Sequence, residues 1–226
     1  MNSDRMSDFF QYYDERASEY DQVYSAKGPA IPAPEAYARD VREIAAICSR
    51  YGTGHLADIG CGTGYWLAYY YRNCEEITLI DQSRKMLIAC QARVAQFERK
   101  TKVNYVKGDF FNLRFLTGSF DSAVAAFFIS HLDNEGSDVF FRKLRGSLRP
   151  GAALLWIDGA WSQERAKYRE KEGTQLRRLE NGREFSIYKR YFTVGEACTV
   201  LDAQKFEIKS TYEGSVFFAV WACSRI

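Results

Sequence analysis

Apolar positions along the chain alternate between two rhythms. In "IPAPEAYARDVREIAAICSRY" the prolines give way to apolar residues at 37, 41, 44 and 48, the spacing of a helix with one buried face. "HLADIG" then reads as a short buried strand, a glycine cluster follows, and "YWLAYYYRN" predicts the start of a helix. "ITLID", residues 77–81, predicts a second strand. "SRKMLIACQARVAQFERK" predicts a second helix, capped by Ser83, with an apolar stripe at 86, 90, 94 and 97. "VNYVKGD" predicts a third strand. "FDSAVAAFFIS" predicts a fourth, apolar throughout, as a strand covered on both faces should be. "SDVFFRKLRGSL" follows as a helix, "RPG" as a break and "AALLWIDG" as a fifth strand. Regular alternation of strand and helix argues for an α/β fold with a doubly wound parallel sheet.

The chain closes differently. Residues 162–185 are about half charged and show no core stripe, and Asn181-Gly182 within them is a hairpin-turn signal. "FSIYKRYF" predicts a strand and "TVGEACTVLDAQ" a helix. "FEIKSTYEG" and "VFFAVWACSR" are β-rich runs with so little between them that they must pair antiparallel. We therefore expect one domain over residues 1–226, with an N-terminal segment, 1–30, and a charged insert, 160–192, as additions to it.

Composition narrows the functional classes. Basic and acidic residues number 31 and 29, so no general charge draws the chain to nucleic acid or to an anionic membrane. "MNSDRMSDFFQYYDE" lacks the apolar run of a signal peptide, and "AVAAFFI" and "VFFAVWAC" are too short to span a bilayer. The six cysteines form no C-x-x-C pair and the histidines are only two, His55 and His131, which argues against a structural zinc site. Buried reduced thiols, and with them a cytoplasmic location, are the expectation.

The candidate chemistry centres on "ADIGCGTGYW". Glycines stand at 60, 62 and 64, and Asp58 precedes them. A dinucleotide fingerprint is G-x-G-x-x-G, whose third glycine allows close helix packing; here that place is Tyr65, too large for the purpose. The loop still brings a ligand against backbone N–H groups, and Asp58 suggests a cationic group on that ligand. Asp81, 17 residues past Gly64, ends the second strand where a carboxylate can accept both hydroxyls of a ribose. "GDFF" offers Asp109 to an adenine amino group and Phe110 to its face.

Taken in order, "ADIGCGTG", "LIDQS", "KGDFF", "FDSAVAAFFISHL" and "LRPGAALLWID" resemble the class I S-adenosylmethionine-dependent methyltransferases, over about residues 9–226. "YYDERASEYDQVY" is similar to the lid segment that opens many small-molecule members. The resemblance implies a Rossmann-like, mostly parallel seven-stranded sheet ending in an antiparallel hairpin, with S-adenosylmethionine as cofactor. It implies that Asp58 and Gly60, with Cys61, Gly62 and Gly64 in the same loop, hold the methionine end. Asp81 and Gln82 take the ribose, and Asp109 and Phe110 the adenine. Phe127, Phe128 and Ser130 lie under the sulfonium, and Tyr12, Tyr13 and Tyr20 close over the cofactor. For the phenylalanines and tyrosines, plain packing is the alternative; Trp66 is expected to pack.

The acceptor is expected to be a small organic molecule. The Asn/Asp-Pro-Pro-Tyr/Phe element of base-amino methyltransferases is replaced by "FISH", a second glutamate for arginine methylation is missing beside Glu135, and Asp158-Gly159 does not match the magnesium pair of catechol-type enzymes. No metal is expected. His131, after the fourth strand, is the one candidate base; alternatively it only hydrogen-bonds cofactor or backbone. Arg183, Tyr188 and Arg190 on the expected hairpin either select a polar or anionic substrate or simply face solvent on a surface hairpin. Two further readings stay open: a catalytically silent S-adenosylmethionine-binding protein, and a dinucleotide-dependent oxidoreductase, which Tyr65 disfavours.

Overall fold

The computed structural model describes residues 3–27, 33–98 and 101–225. Positions 1–2 and 28–30 of the expected N-terminal segment, 31–32 before the first striped helix and 99–100 at the end of the second lie outside the described residues.

Five strands run parallel: β1 (His55–Ile59), β2 (Glu76–Asp81), β3 (Lys102–Lys107), β4 (Phe120–Ala126) and β5 (Leu148–Gly159). A hairpin, β6 (Glu172–Arg178) and β7 (Glu184–Arg190), stands apart as its own two-stranded sheet. The chain then returns through β8 (Phe206–Glu213) and β9 (Phe217–Ser224), giving a seven-stranded sheet in the order β3-β2-β1-β4-β5-β9-β8, with β9 antiparallel to both neighbours. This is the Rossmann-like methyltransferase fold expected from the sequence. Successive connections leave β1 in opposite directions, toward β2 and toward β4. The crevice past the carboxyl ends of β1 and β4 is where ligands bind in such sheets.

The pleat sorts the core. On β1, Leu56 joins one buried cluster while Ala57 and Ile59 join the other, because successive side chains point to opposite faces. On the Leu56 face lie Ile44 and Cys48 of α2 (Pro34–Cys48), Leu67 and Tyr70 of α3 (Leu67–Tyr70), and Leu87 and Cys90 of α4 (Arg84–Val94). The other face is covered by Phe140, Phe141 and Leu144 of α5 (Asn134–Ser147) and, beyond the one-turn α6 (Gln163–Ala166), by Ala197 and Leu201 of α7 (Val194–Ala203). Thr193 starts α7 with a reciprocal capping box to Glu196. Among the described residues no helix is long and apolar enough to cross a membrane.

Three local expectations need correction. The helix expected from "YWLAYYYRN" is one α-helical turn, Leu67–Tyr70, continued by a tighter turn to Asn73; the five aromatic residues of the stretch lose rotamer freedom in a longer helix. The fourth strand ends at Ala126 because Phe127 takes a left-handed backbone, φ 56°. "RPG" does not separate helix from strand. It is a bulge inside β5: Leu148 pairs with Phe120, and pairing resumes at Ala153 with Ser122.

Candidate active site

The glycine loop begins where β1 ends. Gly60 and Cys61 donate their N–H groups to the carbonyl of Ile80, tying the loop to the end of β2. Gly60 and Gly62 have φ of 68° and 54°, the region where a side chain is strained. A Cβ on Gly60 would come within 2.7 Å of the Phe128 ring, whereas one on Gly62 would meet only Tyr20, at 3.7 Å. Gly62 is thus the open floor of the loop.

Two carboxylates meet at this floor. Asp81 accepts the N–H of Gly62 at 2.9 Å and of Ser83 at 2.8 Å. Burial pushes its pKa up to about 6, against the lowering effect of those backbone donors. Asp58, 3% exposed, accepts the Tyr70 hydroxyl at 2.5 Å. Burial raises its pKa to about 7, with the Asp81 charge adding to the rise. Neither Asp58 nor Asp81 lies within 4.0 Å of a cation among the described residues. Two desolvated acids raised toward neutrality, Asp58 buried and Asp81 half-buried, suit a ligand that brings an ammonium group and hydroxyl donors. Asp58, Cys61 and Trp66 border one small cavity with Gly60 and Gly62. Trp66 packs edge-on against Tyr24 and Tyr65 beside this cavity.

A larger cleft of about 630 Å³ continues from the loop. It is lined by Tyr13, Tyr20, Gly60, Gly62, Ile80, Asp81, Gln82, Phe110 and Phe127, with His131 at its far side. Gln82 and Phe110 both line this cleft, and Phe110 also packs on Phe140, 5.4 Å between ring centres. Gly64 lies outside the cleft, its approach being to Cys90. Asp109 borders an adjoining small cavity with Gln82 and Phe128, and its carboxylate accepts the N–H of Phe111 at 2.9 Å. Ser130 is buried and lines none of these cavities. Its hydroxyl accepts from Lys189 and its N–H donates to Asp158.

The N-terminal segment closes over the cleft. It comprises α1 (Ser3–Arg16) and a short 3-10 helix at Tyr20–Ser25. Asp14 accepts from the Ser83 hydroxyl at 2.8 Å and the Lys85 N–H at 3.2 Å, at the start of α4. Asp21 accepts from the Thr63 hydroxyl at 2.5 Å and pairs with Arg93. Across the cleft Glu15 pairs with Arg183, and Gln22 donates to Glu180 on the hairpin loop. Tyr13 and Tyr20 face the cleft; Tyr12 instead packs on Leu179, Phe185 and Ile187 and lines a second cavity.

That second cavity, about 720 Å³ and open to solvent, meets the first at Tyr13, Tyr20, Phe127 and His131. The hairpin forms its wall, with the register opposite to the one expected. Phe185, Ile187 and Lys189 point inward, so Tyr188 and Arg190 point out: the Tyr188 hydroxyl donates to exposed Glu172, and Arg190 to Asn134. Arg183, outside the strand, stacks on Phe185 and is engaged by Glu15. The side chains of the hairpin that line this cavity are instead Lys189 and, from β6, Arg177, since a strand that buries Phe185 and Ile187 must bury Lys189 as well. Lys189 donates to Asp158 at 3.0 Å. Asp158 also accepts from the N–H groups of Gly159 and Ser130 and from Trp156, which commits its oxygens to protein donors rather than to a metal.

His131 sits at the junction. Its Nδ1 lies 2.8 Å from the Tyr188 carbonyl, so Nδ1 carries the proton, and Nε2 accepts from the Tyr13 hydroxyl at 2.7 Å. Burial, then the charges of Lys189, Arg177 and Arg16, hold its pKa well below 6.5. It is neutral, oriented, and its lone pair is already taken.

Comparison with known proteins agrees with this geometry. Residues 56–151 match the family model for a methyltransferase domain. The chain is 30% identical over 122 residues to the O-methyltransferase resE of Aspergillus sclerotiorum, covering 53% of this chain and 45% of that one. It is 26% identical over 160 residues to the carboxy-S-adenosyl-L-methionine synthase of Vibrio vulnificus strain YJ016, covering 67% of this chain and 61% of the relative. The chain thus spans about half the length of the curated relatives it matches. The fold is shared with the solved structure described as the DhpI-SAM-HEP complex, at a TM-score of 0.75 and 22% identity, covering 99% of both chains.

The matched part of the methyltransferase domain runs from β1 to the bulge of β5 and holds the glycine loop, Asp81, Phe110 and Phe127. The second cavity draws Arg16 from before it and Arg165, Arg177, Lys189 and Tyr191 from after it. Of these, only Lys189 had a sequence signal, the two-residue alternation Phe185, Ile187, Lys189.

Proposed function

We propose that the chain transfers a methyl group from S-adenosylmethionine to a small organic acceptor. The observation that carries this reading is the meeting of two cavities at Tyr13, Tyr20, Phe127 and His131, one holding Asp81 and adjoining, at Gly60 and Gly62, the small cavity of buried Asp58, the other lined by aromatic and basic side chains. In this reading Asp58 takes the ammonium of the cofactor, with Gly60, Cys61 and Gly62 giving close backbone approach. Asp81 and Gln82 take the ribose, Asp109 and Phe110 the adenine, and Phe127 shapes the floor beneath the reacting carbon. The cofactor supplies an electrophilic methyl sulfonium. The protein's part is to exclude water and hold the acceptor in line. Residues 1–30 and the insert 160–192 act as the lid and wall of the acceptor side, a role supported by the Glu15–Arg183 and Gln22–Glu180 links.

Calorimetry with S-adenosylmethionine and with NADH tests the cofactor assignment. Binding of the first alone is expected; binding of NADH alone would favour the oxidoreductase reading. Formation of S-adenosylhomocysteine across a panel of small acceptors then tests turnover. Tight binding without that product under every condition would leave a silent binder.

A further inference from the structure

We infer that the second cavity is an oxyanion site and that the acceptor enters it as an organic acid, its charge held by Arg177 and Arg165 beside Tyr191. This deepens the function proposed above and rests on it. Arg16, Lys27, Arg165, Arg177 and Lys189 line the cavity together, and no Asp or Glu does. A chain with nearly equal numbers of basic and acidic residues has thus concentrated one sign in one place.

The charges converge on one ring. The Arg165 guanidinium lies 4.4 Å from the centre of the Tyr191 ring and Lys189 Nζ 5.7 Å. Arg177 Nη2 is 3.3 Å from the Tyr191 hydroxyl. Arg165, Lys189 and Tyr191 are 6%, 7% and 3% exposed. Only Lys189 has a carboxylate partner, Asp158. The guanidinium groups of the three arginines engage neutral acceptors: Arg16 the Tyr12 hydroxyl, Arg165 the Ala160 and Val216 carbonyls, Arg177 the Gln175 side chain and the Tyr191 hydroxyl. Among the described residues no carboxylate comes within 4.0 Å of Arg16, Arg165 or Arg177.

Arg165 is buried and Arg16 and Arg177 are half-buried; cations so placed without counterions are costly, and the cost is relieved when an anion binds between them. The phenol of Tyr191 registers this field. Burial alone would raise its pKa, yet Arg177, Arg165 and Lys189 together pull it down to about 8. The ring walls of Tyr12, Tyr37 and Phe217 leave room for an apolar body behind the charged end. An acceptor that arrives as an anion also explains how neutral, occupied His131 can adjoin the reaction.

Two probes separate the sources of such a charge: inorganic phosphate for a phosphate or phosphonate head, and benzoate for a carboxylate, with benzamide as the neutral counterpart of benzoate. Each is titrated by calorimetry into protein saturated with S-adenosylhomocysteine. Binding of either anion, with the Tyr191 ionisation followed by tyrosinate absorbance moving upward from about 8, is the expected result, and the tighter probe identifies the head group. Arg177→Gln should weaken the anion by about 10- to 100-fold, the worth of a charge-assisted hydrogen bond, with S-adenosylhomocysteine affinity unchanged. Because Arg165 also braces two backbone carbonyls, Arg177 is the cleaner substitution, and a circular dichroism melt checks its folding. Absence of phosphate and benzoate binding, or benzamide binding as tightly as benzoate, would overturn the oxyanion site while leaving the cofactor reading intact. Loss of S-adenosylhomocysteine binding by the wild-type protein would overturn the underlying reading instead.

Discussion

The hydroxyl of Tyr13, on the N-terminal segment, donates to Nε2 of His131 at 2.7 Å, so the lid and the one candidate base are a single hydrogen-bonded unit. Since the Tyr188 carbonyl fixes the other ring nitrogen as a donor, protonating His131 would break the Tyr13 bond and place a cation near Lys189, Arg177 and Arg16. We expect His131 to position Tyr13 rather than to remove a proton. His131→Ala should then cost less than about tenfold in turnover at saturating cofactor, against the ~10²–10⁴-fold loss typical of a missing general base. Rates for wild type and variant across about pH 6 to 9 decide the matter. A hundredfold loss with a vanished acidic limb would make His131 the base.

What the sequence revealed and what it hid divide along a physical line. The succession of strands, the glycine loop and the place of Asp81 at a strand end were legible because each depends on residues close in sequence: a buried run, a backbone that only glycine adopts, a carboxylate ending a strand. The partner that orients His131 was invisible because it is a backbone carbonyl 57 positions away. Tyr12 turned away from the cofactor side because the hairpin offers it Leu179, Phe185 and Ile187. The basic cavity was hidden for the same reason, since Arg16, Arg165, Arg177 and Lys189 share no local pattern. Only Lys189 could have been caught, by following the alternation of β7 one step further.

Removing the carboxylate of Asp81 tests the ribose assignment. Asp81→Ala should weaken S-adenosylmethionine by more than about tenfold, from a pair of charge-assisted contacts contributing ~2–3 kcal/mol. The same side chain accepts the Gly62 N–H, so Asp81→Asn is the companion variant that preserves one acceptor oxygen and should recover part of the affinity. An unchanged dissociation constant in the alanine variant would remove Asp81 from the site.

The two loop glycines should fail differently. Gly62→Val projects into open cleft near Tyr20 and should abolish cofactor binding, with a melting temperature lowered only by the strain of a branched side chain at positive φ. Gly60→Val must also displace the Phe128 ring, so it should lose both binding and stability. Differential scanning calorimetry on the pair separates the two effects. Full cofactor affinity in Gly62→Val would mean that the loop is only a tight turn.

The lid should tighten when the cleft fills. Residues 8–27 are held to the body by polar links at Asp14, Asp21, Glu15 and Gln22, most of them solvent-accessible, and such contacts open easily. Amide exchange in this segment should slow on adding S-adenosylhomocysteine, most around Tyr13 and Tyr20. Identical exchange with and without ligand would exclude closure.

Asp58 ties cofactor affinity to stability with opposite signs. Its folded pKa, about 7, lies above the ordinary 3.8 because the carboxylate is buried. For a carboxyl raised in this way, the native state holds its proton more tightly than the unfolded chain. The resulting stability is complete below pH 3.8 and is lost as pH rises through about 7. Above that pH the empty protein carries a buried anion at a cost of order a few kcal/mol. Asp58→Asn removes the charge and keeps an acceptor for Tyr70. The variant should therefore melt higher than wild type at about pH 8, with the difference closing toward about pH 4, where wild type is itself neutral. Cofactor binding runs the other way. It needs the ionised form, so wild-type affinity should rise as pH climbs through about 6 to 7, where Asp81 and Asp58 ionise, and fall again once the ligand's amino group loses its proton, near pH ~8. Asp58→Asn should lose at least about tenfold in affinity at neutral pH and lose the Asp58 part of the acidic rise. A variant that is no more stable than wild type at pH 8, or that binds S-adenosylmethionine with the same pH profile, would show that Asp58 neither carries a buried charge nor meets the ammonium.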